Sequence, residues 1–172
     1  MKKYLLCLMT LCFLFVGNVS FAETELNLSG VYQKQEYLMT NTLGFGKGTY
    51  YDLTTQAIVL TDLQTQEVEC KLYMQKLNSE IIIGHDEVEE LLVMLPILKD
   101  FAQNETRGKT EYVYQTKSGV YVAVEVDTGV AAFVFKLHPN DNTASSTFNI
   151  GVLDRLVEYL NEYAVFFRGE SK

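Results

Sequence analysis

Two histidines, His85 and His138, stand beside carboxylates, in His85-Asp86-Glu87 and in His138-Pro139-Asn140-Asp141. Neutral imidazoles joined by a carboxylate form a common zinc ligand set. If the fold brought them together, they would support a small hydrolase or a metal-dependent enzyme. No local spacing ties them: there is no His-Glu-x-x-His helix, no paired-cysteine metal motif and no Gly-x-Ser-x-Gly elbow. Each is read more simply, His85 beside a helix start and His138 at a strand end before a turn. The residues therefore assign no catalytic group, no cofactor and no metal ligand.

Asp86, Glu87, Glu89 and Glu90 crowd one helical turn. Glycoside hydrolysis needs two carboxylates facing each other across a cleft, which residues on one turn do not provide. Acidic side chains are favoured at a helix start by its dipole, so the cluster reads as a solvated face. Gly44-Phe45-Gly46-Lys47-Gly48 has the glycines of a phosphate cradle, but it leads into the strand-like Thr49-Tyr50-Tyr51 and lacks a Lys-Ser or Lys-Thr ending. It is expected to be an inter-strand connection. Cys70 lies in Val68-Glu69-Cys70-Lys71-Leu72, whose alternation puts it on one strand face with Val68, Leu72 and Met74, as a buried apolar side chain. Tyr50, Tyr51, Tyr112, Tyr114, Tyr121 and Tyr159 offer apolar area with a hydroxyl, which suits a binding surface. Tyr121 shares its face with Ala123 and Glu125, opposite the valines. Asn27-Leu28-Ser29 and Asn104-Glu105-Thr106 match the glycosylation acceptor pattern, which matters only in a eukaryotic host.

The chain opens Met1-Lys2-Lys3, continues with an apolar run from Tyr4 to Val16 and reaches Ser20-Phe21-Ala22. A basic start, an apolar middle and small residues before a cut are the parts of a cleavable export signal. The run is shorter than the roughly 20 residues of a membrane span. Cys7 and Cys12 each follow leucine, which does not suit a lipoprotein. Residues 1–22 are thus expected to be a signal peptide, with residues 23–172 working in the periplasm or outside the cell and with no stable membrane span after signal removal. Loss of Lys2 and Lys3 takes the net charge from −8 to −10. Such a surface repels nucleic acid and anionic lipid and suits a cationic partner. Only Cys70 remains, so no intrachain disulfide is available.

Strand patterns fill the chain to Leu77. Leu26–Met39 is rich in Leu, Val and Tyr, Thr49–Leu53 and Ala57–Thr61 read as hairpin arms around Thr54-Thr55-Gln56, and Glu67–Leu77 alternates. A helix follows Gly84, with Asp86 as its cap, Glu89 as capping-box partner, and Val88, Leu91, Leu92 and Leu95 on one face. Pro96 is expected to kink or break it. After a polar link come strands at Thr110–Thr116, Val120–Asp127 and Val130–Leu137, then a polar loop over His138–Ser146. A second helix over Gly151–Phe167 carries Leu153, Leu156, Val157 and Leu160 and stops at Arg168-Gly169.

This is an α+β pattern: antiparallel sheet with two helices packed on one face of it, in a single domain. Strands followed by a helix occur twice, which raises a duplication with halves 23–105 and 106–172. In element order alone the plan resembles the Whirly and Pur-type single-strand nucleic-acid-binding domains. That resemblance implies a single-strand binder, which the acidity and the export signal oppose. The expectation is a non-catalytic binding or protein-interaction module, with an unidentified protein or small molecule as its ligand. Intact-mass measurement on protein from the host's extracytoplasmic fraction should find a chain that begins at Glu23, and a main species retaining Met1 would overturn the export reading.

Overall fold

The computed structural model describes residues 30–38, 53–76, 78–105, 108–140 and 146–170. Residues 1–22, Asn27, the loop 44–48, Tyr50, Tyr51 and Asp141 lie outside the described residues, and so does the cleavage point after Ala22.

Strands β1 (Tyr32–Leu38), β2 (Leu53–Asp62), β3 (Val68–Lys76) and β4 (Ser79–Gly84) pair in that order, all antiparallel, and lead into helix α1 (His85–Asn104). Strands β5 (Lys109–Gln115), β6 (Tyr121–Asp127), β7 (Val130–Lys136) and β8 (Ser146–Asn149) repeat the plan and lead into α2 (Gly151–Glu170). The α+β class with antiparallel sheet is as the patterns imply.

Several details differ from those patterns. There are two four-stranded sheets rather than one continuous sheet. Helix α1 separates β4 from β5 in the chain and packs against β3 and β4 of the first sheet and β5 and β6 of the second. The sheets therefore meet through helix side chains, not backbone pairing. Thr54-Thr55-Gln56 is no turn, because all three residues pair with β3 inside an unbroken β2. Thr55 is fully buried, and its hydroxyl shares a 2.7 Å hydrogen bond with Tyr163 of α2, so a polar side chain is satisfied where a loop was expected. β8 begins inside the supposed polar loop, giving the second half its fourth strand. Helix α1 runs unbroken across Pro96, which is exposed on the helix surface. Gly84, not Asp86, is the N-cap, and Glu87 rather than Glu89 reaches back to accept from its backbone N–H at 3.3 Å. Gly169 is within α2, which extends to Glu170 instead of stopping there.

Register follows from alternation. Val122, Val124 and Val126 of β6 face inward beside Tyr114, Tyr112 and Thr110 of β5 and Phe135, Phe133 and Ala131 of β7. The β6–β7 turn takes positive φ at Thr128 (48°) and Gly129 (82°), the two-residue geometry whose twist matches flanking strands. In β3, Cys70, Leu72 and Met74 are buried together. Val68, at the strand start, is exposed.

One continuous core joins these inner faces to both helices. Helix α1 contributes Val88, Leu91, Leu95, Leu98 and Ala102, and α2 contributes Leu153, Leu156, Leu160, Tyr163 and Phe167. The two series have identical three-then-four spacing, which keeps each on one face of a 3.6-residue helix. Leu92 and Val157, expected in the stripes, sit beside them half-buried. Burying one such aliphatic side chain is worth about 1.5–3 kcal/mol, and truncating it also leaves a cavity. Leu95→Ala should therefore destabilise by about 2–5 kcal/mol in urea denaturation. Val93→Ala, on the opposite face of the same helix, should stay within about 0.5 kcal/mol of the parent.

Candidate functional site

Helix α1 buries one face and presents the other to solvent. Its outer ridge carries Val93, Ile97 and Phe101 at successive turns, with exposures of 62, 39 and 51%. Three large apolar residues in one row form a patch rather than scattered surface side chains. On one flank stand Tyr112 and Tyr114, from the inner face of edge strand β5. The Phe101 ring stacks on Tyr112, with centroids 5.5 Å apart and planes 20° from parallel. Tyr114 donates to Glu90 at 2.7 Å. Burial, then the Glu90 carboxylate, pushes the Tyr114 phenol up to about 12, so it remains a neutral donor. A shallow depression of about 610 Å³ is bounded by Val93, Met94, Tyr114, Asp86, Glu89 and Glu90.

The acidic turn splits by helix angle. Asp86 projects into solvent, while Glu89 and Glu90 are half-buried on the same side. Arg168 of α2 grips Glu89 through two N–H donors at 2.9 Å. Burial pushes the Glu89 carboxyl up, but Arg168 and then His85 outweigh it and hold the group below its ordinary value. Lys117 lies 3.5 Å from Asp86 and 3.7 Å from Glu90.

Glu87 departs from the expected solvated face: it is only 4% exposed. It accepts from the Ser118 backbone N–H at 2.7 Å, the Ser118 hydroxyl at 2.6 Å and the Gly84 N–H at 3.3 Å, with Thr116 adding a further side-chain bond. Burial raises its pKa, but these donors together overcome that and set it below the usual carboxylate value. Glu87 is thus a clamp that ties the start of α1 to the β5–β6 turn. Nothing in the sequence separates it from its acidic neighbours except its position one residue before Val88, on the edge of the buried stripe.

The two histidines have separate partners. His85 pairs with Glu89 at 3.2 Å and sets its ring edge against Phe167, with centroids 5.5 Å apart. The His138 Nε2 bonds the backbone carbonyl of Glu80 in β4 at 2.9 Å. Among the described residues no group of three or more His, Cys, Asp and Glu is arranged to hold a metal ion. Of the tyrosines, Tyr159 is buried and shares a 3.2 Å bond with Tyr163. Tyr121 is half-buried on the outer face of the second sheet, where it donates to Glu111 at 2.5 Å and lies under the Lys136 ammonium. Asn104 closes α1, bonding the Asp100 carbonyl at 2.8 Å. No helix among the described residues is long and apolar enough to cross a membrane.

Compared with known proteins, the chain matches no family model, no curated protein and no solved structure.

The Glu87 clamp has a pH consequence. Its folded pKa lies below the unfolded value of about 4.3, so its contribution is complete above that value and is lost as pH falls through the lower folded one. Glu87→Ala should cost about 1–3 kcal/mol at neutral pH by leaving buried donors unpaired. Glu87→Gln should flatten the decline in stability below about pH 4.3, read from urea midpoints across pH. An unchanged slope would show that the clamp does not carry the acid sensitivity.

Proposed function

We propose that this chain is a non-catalytic protein-interaction module, exported by its first 22 residues and working in the periplasm or outside the cell. The observation that carries the reading is the Val93, Ile97 and Phe101 ridge: three large apolar side chains exposed on a helix whose opposite face already fills the core. A ridge on the face of α1 away from the core is available for a partner, and a few well-packed anchor residues, often aromatic, supply most of the energy at protein interfaces. Tyr112 and Tyr114 extend the apolar surface onto β5, and the neutral Tyr114 hydroxyl sits at its acidic edge.

A hydrolase or metal centre built on His85 or His138 has less support. One imidazole is engaged by a carboxylate and an aromatic ring, the other by a backbone carbonyl on a different element. Single-strand nucleic-acid binding is opposed by the charge of −8.

The test is site-specific photo-crosslinking in the native host. A photoreactive side chain at Val93 should give a discrete adduct at an extracytoplasmic location, and the same group at exposed Asn161 on α2 should give none. Equal adducts at both positions, or none at Val93, would remove the ridge as the working surface.

A further inference from the structure

Resting on that reading of the ridge, we infer that its occupant is a basic amphipathic helix of another protein, with apolar residues one turn apart and lysine or arginine flanking them.

The argument begins with spacing. Val93, Ile97 and Phe101 recur every four residues, about 6 Å apart and about 12 Å end to end at roughly 1.5 Å per residue. A row of this period is the ridge that packs into the groove between matching rows of a second helix. Among the described residues no helix is seated on the outer side of α1, and α2 packs along its other flank, where Lys99 reaches Asp154 at 2.6 Å.

Charge then decides among occupants. Asp86, Glu89 and Glu90 stand at the start of the ridge, and Asp100 and Glu105 at its end. Lys117 and Arg168 offset part of the first group. The last turn of α1 carries no basic residue, and Lys99 is drawn to Asp154. The ridge is therefore apolar in the middle and acidic at both ends: its start keeps about one unit of negative charge once Lys117 and Arg168 are counted, and the partial positive charge of a helix N-terminus, about half a unit, does not cancel that. A second copy of this chain is a poor fit. In a two-fold pairing the same patch meets itself, so antiparallel ridges place Asp86, Glu89 and Glu90 against Asp100 and Glu105, and parallel ridges place each acidic group on its own copy. Both arrangements set like charges together. A helix with bases outside an apolar row meets carboxylates at both ends instead.

The probe is a synthetic amphipathic helix of about 18 residues built from leucine and lysine, titrated against residues 23–172 by fluorescence anisotropy. Two controls accompany it, one with glutamate replacing lysine and one with serine replacing leucine. Only the Leu/Lys peptide should bind, and about tenfold more weakly at high than at low salt. Asp86→Asn with Asp100→Asn should weaken it about threefold to tenfold. Val93→Ser with Ile97→Ser should abolish it, with melting temperature near that of the parent because both residues are exposed. Equal binding of the Leu/Glu peptide, or indifference to salt and to the aspartate substitutions, would overturn the basic partner while leaving the ridge as a docking surface. Binding of the Ser/Lys peptide, or binding that survives Val93→Ser with Ile97→Ser, would show attraction to net charge alone, which sinks both readings. Concentration-dependent dimerisation lost in that double variant would assign the ridge to a second copy and overturn the inference.

Discussion

Alternate side chains of eight strands point inward, and among the described residues only two helices are present to cover them. That shortage of cover governs the architecture. One helix over each sheet would leave apolar strand residues in water, at roughly 25 cal/mol for each Å² left exposed. The solution is to share. Helix α1 lies against strands of both sheets, and α2 lies against α1, β3 of the first sheet and β8 of the second. Each helix needs a broad apolar stripe to do this, which is why both carry five large or small apolar residues at the same spacing.

Sharing fixes where polar groups must go. A helix that bridges two sheets brings carboxylates close to loops of the other half, and each such group requires donors. Glu87 finds them in Ser118, Glu89 in Arg168, and Asp154 in Lys99. Thr55 and Tyr163 join a strand of the first sheet to the last helix inside the core. His138, after β7, ends on the carbonyl of Glu80 in β4. Every one of these bonds crosses between the halves, so the register of one sheet is tied to the other by directional contacts as well as by packing. On the outer face of α1 the Phe101–Tyr112 stack and the Tyr114–Glu90 bond also cross between the halves, yet Val93, Ile97 and Phe101 there stay exposed.

Alternation and helical period made much of this legible. The β5–β7 meander, the tight turn at Thr128-Gly129, burial of Cys70 and the two helices all follow from local patterns that tertiary contacts do not override. The failures share one cause. Thr54-Thr55-Gln56 is polar and resembles a turn, but a tyrosine more than a hundred residues away satisfies Thr55. Glu87 resembles its acidic neighbours, and only the position of Ser118 separates it from them. The split into two sheets is set by α1 packing on both, which element order does not specify. The ridge itself is present in the sequence as Val93, Ile97 and Phe101, but the spacing of those residues is equally that of a buried row. Only the placement of the other stripe against both sheets turns it outward.

The position of Phe167 has a temporal consequence. It is fully buried in the shared core, yet it lies in the last described helix, far along the chain from β2 and β3. Strand pairing within each meander is local and quick, whereas closing this core requires the last helix to reach the first sheet. A polypeptide emerging in order from its N-terminus would hold β2, β3 and the inner side of α1 incompletely covered until α2 had been made. Final consolidation is therefore late in order: it waits on α2, after both meanders have paired.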